Sequence, residues 1–207
     1  MKNILNAKSQ ILQEAYRLLL TNNLEKVTIS NLEKATNKIR GIIFYYFDNK
    51  QNLFNSIVED LFFPSLEFPA EFFELAYEGD YKKFLKAYIS PEERVISNIN
   101  SMYNLENPEF CFYNFFIQAN NNYVDFIIKY RSIINKDLLL WNCVIKRAQE
   151  NLLLTKAYSS EDISKMFMLI YSGKSICNAI SFDSKSTCKE ITLSICEYFE
   201  KKLVDDF

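Results

Sequence analysis

The sequence predicts an all-α protein, with a three-helix helix-turn-helix head at residues 1–49 and a larger helical domain over residues 50–207. Three observations predict it. Apolar residues recur at helical spacing from the first segment onward. Only three glycines and four prolines punctuate 207 residues, too few for the turns a β-sandwich needs. Near the amino end, two short apolar-periodic segments are separated by a turn of a few residues, which is the helix-turn-helix arrangement.

The first helix carries Ile11, Leu12, Ala15, Leu18 and Leu19 on one face and is expected to end near Asn22-Asn23. Asparagine tolerates the left-handed conformation, so Asn23 is the expected C-terminal cap. Thr28 is a suitable N-cap for a second helix that buries Ile29, Leu32 and Ala35. That helix is too short to stand alone and must be held by packing. Asn37 marks a turn, and a third short helix is expected from about Ile39 to Tyr46. Asp48-Asn49 caps a fourth through Leu53, Phe54, Ile57, Val58 and Leu61. Beyond Phe63, breaks are expected at Pro64 to Pro69, at Gly79-Asp80, at Ser90-Pro91 and at Asn107-Pro108, the last two placing proline at the first helical position. Longer helices are expected at about 108–121, 123–150, 160–181 and 186–204.

Composition excludes several functions. There is no histidine, which removes Ser-His and Cys-His nucleophiles, a histidine base and histidine metal ligands. The five cysteines, Cys111, Cys143, Cys177, Cys188 and Cys196, form no C-x-x-C pair and read as reduced core thiols, so neither a metal nor a cofactor is expected. No stretch approaches the ~20 apolar residues of a membrane span, and Met1 to Asn6 holds no apolar signal core, so a cytoplasmic chain with no membrane partner is expected. The net charge of −2 is unevenly placed: residues 1–50 hold eight Lys/Arg against four Asp/Glu, so a basic head precedes an acidic body.

Projected at 100° per residue, residues 39–47 place Ile39, Ile42, Ile43, Tyr46 and Phe47 on one side, expected to be core, and Arg40, Gly41, Phe44 and Tyr45 on the other. Lys38 stands just before the helix. A mid-helix glycine costs about 1 kcal/mol relative to alanine, so Gly41 on the outer face suggests close approach of another surface, for which a DNA backbone is the natural candidate. On spacing alone a second reading stays open, in which the outer aromatics of a plain three-helix scaffold touch a neighbouring element.

The run Arg40-Gly41-Ile42-Ile43-Phe44-Tyr45-Tyr46-Phe47, followed by Lys50 and Leu53 and preceded by Thr28 and the Ala15-x-x-Leu18-Leu19 spacing, resembles the signature of the TetR family of transcriptional regulators. The resemblance covers about residues 8–62. It implies that Thr28 and Lys50 hold phosphates and that Phe44 and Tyr46 pack at or touch the DNA backbone. It also implies that Arg40, Gly41, Ile42 and Tyr45 meet the major groove of double-stranded DNA. The sequence departs from the family where Gly-Val-Ser usually precedes the recognition helix: here stand Asn37-Lys38-Ile39, without the serine cap, and Lys38 is a substitute donor to phosphate. Phe44 lacks the hydroxyl of the family's tyrosine.

The body is dense in aromatics between residues 108 and 141. Ordinary core is one reading; the other is a ligand cavity for an unknown small-molecule effector, apolar or aromatic, with Phe110, Tyr113, Asn114, Phe116, Gln118 and Trp141 as candidate contacts. The last two helices carry more apolar positions than exposed terminal helices need, with Ile163, Phe167, Ile170, Ile191, Ile195 and Tyr198 as candidates for a homodimer interface; packing within the chain is the alternative. A two-fold dimer would set two recognition helices about 34–36 Å apart, one turn of B-DNA, matching a palindromic operator. Two functions follow as expectations: a non-enzymatic repressor released from DNA by its effector, or a dimeric helical interaction module whose helix-turn-helix no longer binds DNA.

Overall fold

The computed structural model describes residues 2–180, all helices and turns among those residues. Four helices open the chain: α1 (Lys2–Thr21), α2 (Ile29–Thr36), α3 (Arg40–Tyr46) and α4 (Lys50–Ile57). Seven more follow: α5 (Phe63–Leu66), α6 (Ala70–Glu78), α7 (Tyr81–Ala87), α8 (Pro91–Tyr103), α9 (Pro108–Asn122), α10 (Phe126–Glu150) and α11 (Ser160–Ile180). The helix expected at 186–204 lies outside the described residues. No helix among those described is long and apolar enough to cross a membrane.

Most of the expected boundaries form for the expected reasons. Thr28 caps α2, Asn49 caps α4 and Asn107 caps α9, each side-chain oxygen accepting the backbone N–H three residues on. Gly79 ends α6 in the left-handed region, with φ of 77°, and Asp80 caps α7. A Cβ at Gly79 would lie 2.8 Å from Cβ of Arg147, so the position demands glycine twice over.

Two expectations are corrected. Asn23 does not take the left-handed conformation; among the described residues the non-glycine positions that do are Asn37, Asn104, Asp125 and Leu152. The end of α1 is closed instead by amide side chains, beginning with Asn22, whose Nδ2 donates to the Leu18 carbonyl at 3.0 Å. Nor does Pro64 break its helix. A continuous α-helix would drive the proline ring into the carbonyl four residues earlier. The backbone widens into a π turn at Val58–Phe62, with the Phe63 N–H donating to the Val58 carbonyl, and helix continues to Leu66 before the chain breaks.

The chain divides into two compact units, one of Met1–Ser65 with Val95–Ile127, the other of Leu66–Arg94 with the described residues from Ile128 on. This grouping differs from the boundary expected between residues 49 and 50. In the first unit, Ile11, Ala15 and Leu19 of α1 are buried, as are Leu32, Ile43, Phe47, Phe54 and Phe62. Phe115 of α9 joins these elements: its ring centroid lies 4.8 Å from Tyr16, 5.8 Å from Phe54 and 5.2 Å from Phe62. Rings in such arrangements contribute about 0.5–1.5 kcal/mol beyond the area they bury.

The second unit is built on Trp141 of α10. Its indole stacks on Phe167 of α11 at 5.1 Å and meets Phe84 and Tyr88 edge-on at 5.1 and 4.6 Å. Beside this cluster stands a buried carboxylate, Asp137, 3% exposed, both of whose oxygens accept from the Tyr88 hydroxyl at 3.0 and 2.8 Å. Burial pushes the Asp137 carboxyl up to about 7; the Tyr88 hydrogen bond opposes that, Glu92 adds to it and Arg94 pulls the other way.

An unfolded aspartate ionises near pH 3.9, so between about pH 4 and 7 the folded chain holds a proton that the unfolded chain has lost. Stability therefore falls as pH rises through that window. Asp137→Asn is neutral throughout and keeps an acceptor for Tyr88. It should melt higher than the parent at pH 8, by an amount equivalent to roughly 1–3 kcal/mol, with the gain vanishing toward pH 4–5. A melting difference that does not change with pH would contradict this.

Candidate nucleic-acid interface

The head is organised by how α2 hands over to α3. Thr28 and Asn31 cap reciprocally: the Asn31 N–H donates to the Thr28 hydroxyl at 3.2 Å, and the Thr28 N–H to Asn31 Oδ1 at 2.9 Å. At the other end Asn37, with φ of 52° and ψ of 37°, turns the chain through the left-handed region that asparagine tolerates. Ile39 then stands at the N-cap of α3 with no side-chain cap of its own. The replacement comes from α2, where Glu33 Oε1 accepts the Arg40 N–H at 2.7 Å. Spacing along either helix gave no signal of this bond, because it joins residues seven apart across a turn.

Beneath α3, Ile43 and Phe47 are fully buried, as expected. Ile39 and Ile42 were expected among them and are not: Ile39 is 69% exposed and Ile42 37%. The hand-over through Asn37 rotates the first turn so that these two join Tyr45, 78% exposed, on the outward side. For Ile42 this is the side the family resemblance implies. Arg40 and Gly41 are exposed between them. The Arg40 guanidinium lies over the Phe44 ring at 5.2 Å, and a Cβ built on Gly41 would meet nothing within 4 Å. Phe44 and Tyr46 are half-buried, and the Tyr46 ring sits edge-on to Tyr45 at 5.1 Å.

Lys38 is half-buried just before α3, and Lys50 opens α4 directly after the Asn49 cap. Burial draws the Lys50 ammonium pKa down while Glu25 pushes it up. The structure thus brings Lys38, Arg40, Gly41, Ile42, Phe44 and Tyr45 together on or beside one short helix. Thr28 and Lys50 stand at the first turns of α2 and α4.

The candidate ligand contacts fall in different places. Phe110, Tyr113, Asn114, Phe116 and Gln118 lie on α9 in the first unit; Trp141 lies in the interior of the second. The amides of Asn114 and Gln118 are taken up by α1. Gln118 Nε2 donates to the carbonyls of Leu19 and Asn22 at 3.1 and 3.2 Å, its Oε1 accepts from the Leu24 N–H at 2.6 Å, and Asn114 Nδ2 donates to the Leu20 carbonyl at 3.1 Å. They close the helix end for which Asn23 had been expected, and no local pattern reveals partners 94 to 99 residues away.

Of the candidate dimer contacts, Ile163 and Phe167 face inward and pack with Trp141, which corrects their expected placement on a partner surface. The apolar periodicity of α11 is read twice over, once for each side of the helix. Ile170 is half-buried, and Ile191, Ile195 and Tyr198 lie outside the described residues. The large apolar residues that α11 exposes are Leu169, Ile176 and Ile180.

Residues 11–57 match the family model described as bacterial regulatory proteins, tetR family. Over 55 residues the chain is 38% identical to the HTH-type transcriptional repressor AcnR of Corynebacterium glutamicum, a match spanning 27% of this chain and 29% of that protein. Two solved structures share the fold over almost the whole length. The reduced form of NemR from E. coli superposes with a TM-score of 0.63 at 15% identity, covering 93% of this chain and 96% of the other. NalD of Pseudomonas aeruginosa, the secondary repressor of the MexAB-OprM multidrug efflux pump, superposes with a TM-score of 0.60 at 14% identity, covering 95% and 97%. Residues 11–57 thus carry the sequence signature of the tetR family, and the chain shares its fold with these two solved structures over nearly all its length.

Proposed function

We propose that this chain is a transcriptional repressor which binds a palindromic DNA operator as a homodimer and is released by a small apolar or aromatic effector. The observation that carries the proposal is the outward side of α3, where Arg40, Gly41, Ile42 and Tyr45 stand exposed on a head with eight basic and four acidic residues in its first fifty. Lys38, Lys50 and the first turn of α2 behind Thr28 would hold phosphates and fix register, with Phe44 and Tyr46 packing at the backbone. The side chains of α3 would meet base edges in the major groove. The names of AcnR and NalD, both repressors, support the direction of control. Residues 1–49 would do the reading, and residues 50–207 the sensing and dimerisation.

Affinity for the operator should fall steeply with added salt as phosphates and counterions exchange. Arg40→Ala and Tyr45→Ala should each lose about ten-fold or more in specific binding at constant salt, a guanidinium pair to guanine being worth ~1–3 kcal/mol. Operator affinity unaltered in both variants would rule out α3 as the reading element.

Gly41 offers a separation of fold from function. Alanine there meets no neighbour and gains about 0.5–1 kcal/mol of helix stability. Gly41→Ala should therefore melt slightly higher yet bind DNA more weakly, since the added methyl occupies the space of closest approach. A variant that melts higher and binds as well as the parent would show that nothing approaches α3 at this point.

For assembly, the exposed residues Leu169, Ile176 and Ile180 follow helical spacing along α11, with Gly173 on the same side and nothing within 4 Å of its Cβ position. This stripe would pack against its copy across a two-fold axis. Ile176→Asp is expected to halve the mass observed by analytical ultracentrifugation while leaving the melting of the monomer intact. An unchanged mass would exclude the stripe from the interface. Effector binding has a built-in reporter, because Trp141 is the sole tryptophan and lies inside an aromatic cluster.

A further inference from the structure

We propose that α3 reads thymine through the C5-methyl group, with Ile39 and Ile42 as the specificity-determining side chains, an inference that rests on the DNA-binding reading above. Three apolar or aromatic side chains, Ile39, Ile42 and Tyr45, recur every third residue and share the outward side of α3. From the first to the last they span about 9 Å of helix axis, and stacked bases along a strand are spaced about 3.4 Å, so the row faces two to three base pairs.

The place of Ile39 is what makes the row informative. An N-cap is where serine, threonine, aspartate or asparagine satisfies the helix, and isoleucine there satisfies nothing. It gains no burial either, being 69% exposed; the Ile42 amide, which a capping side chain would take, donates to the Ile39 carbonyl at 2.9 Å, and Glu33 accepts the Arg40 amide. Ile39 therefore serves neither helix end nor core. Its apolar surface is matched by something outside the chain.

Charge selects what that is. Arg40 is exposed next to Ile39, and Lys34, Lys38 and Lys50 belong to the same head. The one acid adjoining the start of the helix, Glu33, is occupied by the Arg40 amide. An apolar row flanked by cations fits a polyanion that displays apolar groups at its edge. In the major groove the only apolar group is the thymine methyl, every other recognition point being a hydrogen-bond donor or acceptor that isoleucine cannot engage. The half-site is thus expected to hold at least two thymines under Ile39 and Ile42, beside a guanine within reach of Arg40. Each methyl covered is expected to be worth about four-fold in affinity.

The test uses the full-length protein and a duplex that it selects from a random-sequence pool at low salt. A second duplex replaces the half-site thymines by uracil, which keeps every base pair and removes only the methyls. The parent should bind the uracil duplex about sixteen-fold more weakly, about four-fold for each of two methyls. The double variant Ile39→Ala, Ile42→Ala, whose altered side chains are exposed and whose folding is checked by its melting temperature, should bind both duplexes alike. Tight binding by the parent that is indifferent to uracil, or discrimination that survives in the double variant, overturns the methyl reading and leaves DNA binding standing. Recovery of no duplex at all overturns the DNA-binding reading and this inference with it.

Discussion

A helix of seven residues cannot hold itself together in water, so everything α3 presents depends on what fastens it to the rest of the head. Two side chains on its underside, Ile43 and Phe47, are fully buried. At its amino end the Asn37 turn sets the direction and Glu33 takes the first free amide. Burial of the two side chains contributes roughly 3–6 kcal/mol, far more than the cap lost by placing isoleucine at position 39. That balance is why the family's serine can be absent without loss of the helix. The position becomes available for a side chain that contributes nothing to folding.

The same logic governs the end of α1. Four carbonyls at a helix C-terminus lack partners within the helix, and leaving one buried and unpaired costs about 1–3 kcal/mol. Asn22, Asn114 and Gln118 meet that requirement with side-chain amides, and the last two come from α9. Together with the Phe115 ring between Tyr16, Phe54 and Phe62, they make α9 part of the compact unit that contains α1 to α4. A displacement of α9 would therefore be felt by α1 through hydrogen bonds as well as packing. Under the proposed function, this two-sided connection is one through which an effector would bias the head.

In the second unit a buried carboxylate, Asp137, stands beside a dense aromatic interior. Asp137 is 3% exposed, and the Tyr88 hydroxyl donates to its oxygens. Burial outweighs that bond, so the carboxyl ionises near neutrality rather than near pH 4. The interior thus contains a group whose charge follows its surroundings, built from ordinary core residues and one carboxylate.

The sequence by itself determined the helical class, nearly every helix boundary among the described residues and the family signature between Thr28 and Lys50. These rest on local causes: apolar spacing, a capping side chain or a turn residue within a few positions. Tertiary structure alone decided the rest. Whether Ile39 and Ile42 point in or out depended on the Asn37 turn, and helical projection carries no absolute rotation. That Gln118 and Asn114 serve α1 depended on partners more than ninety residues away. Which side of α11 is core depended on where Trp141 lies, because an apolar side chain has the same sequence signature facing its own interior or a partner. Spacing records that a surface is apolar, and only packing assigns what it meets.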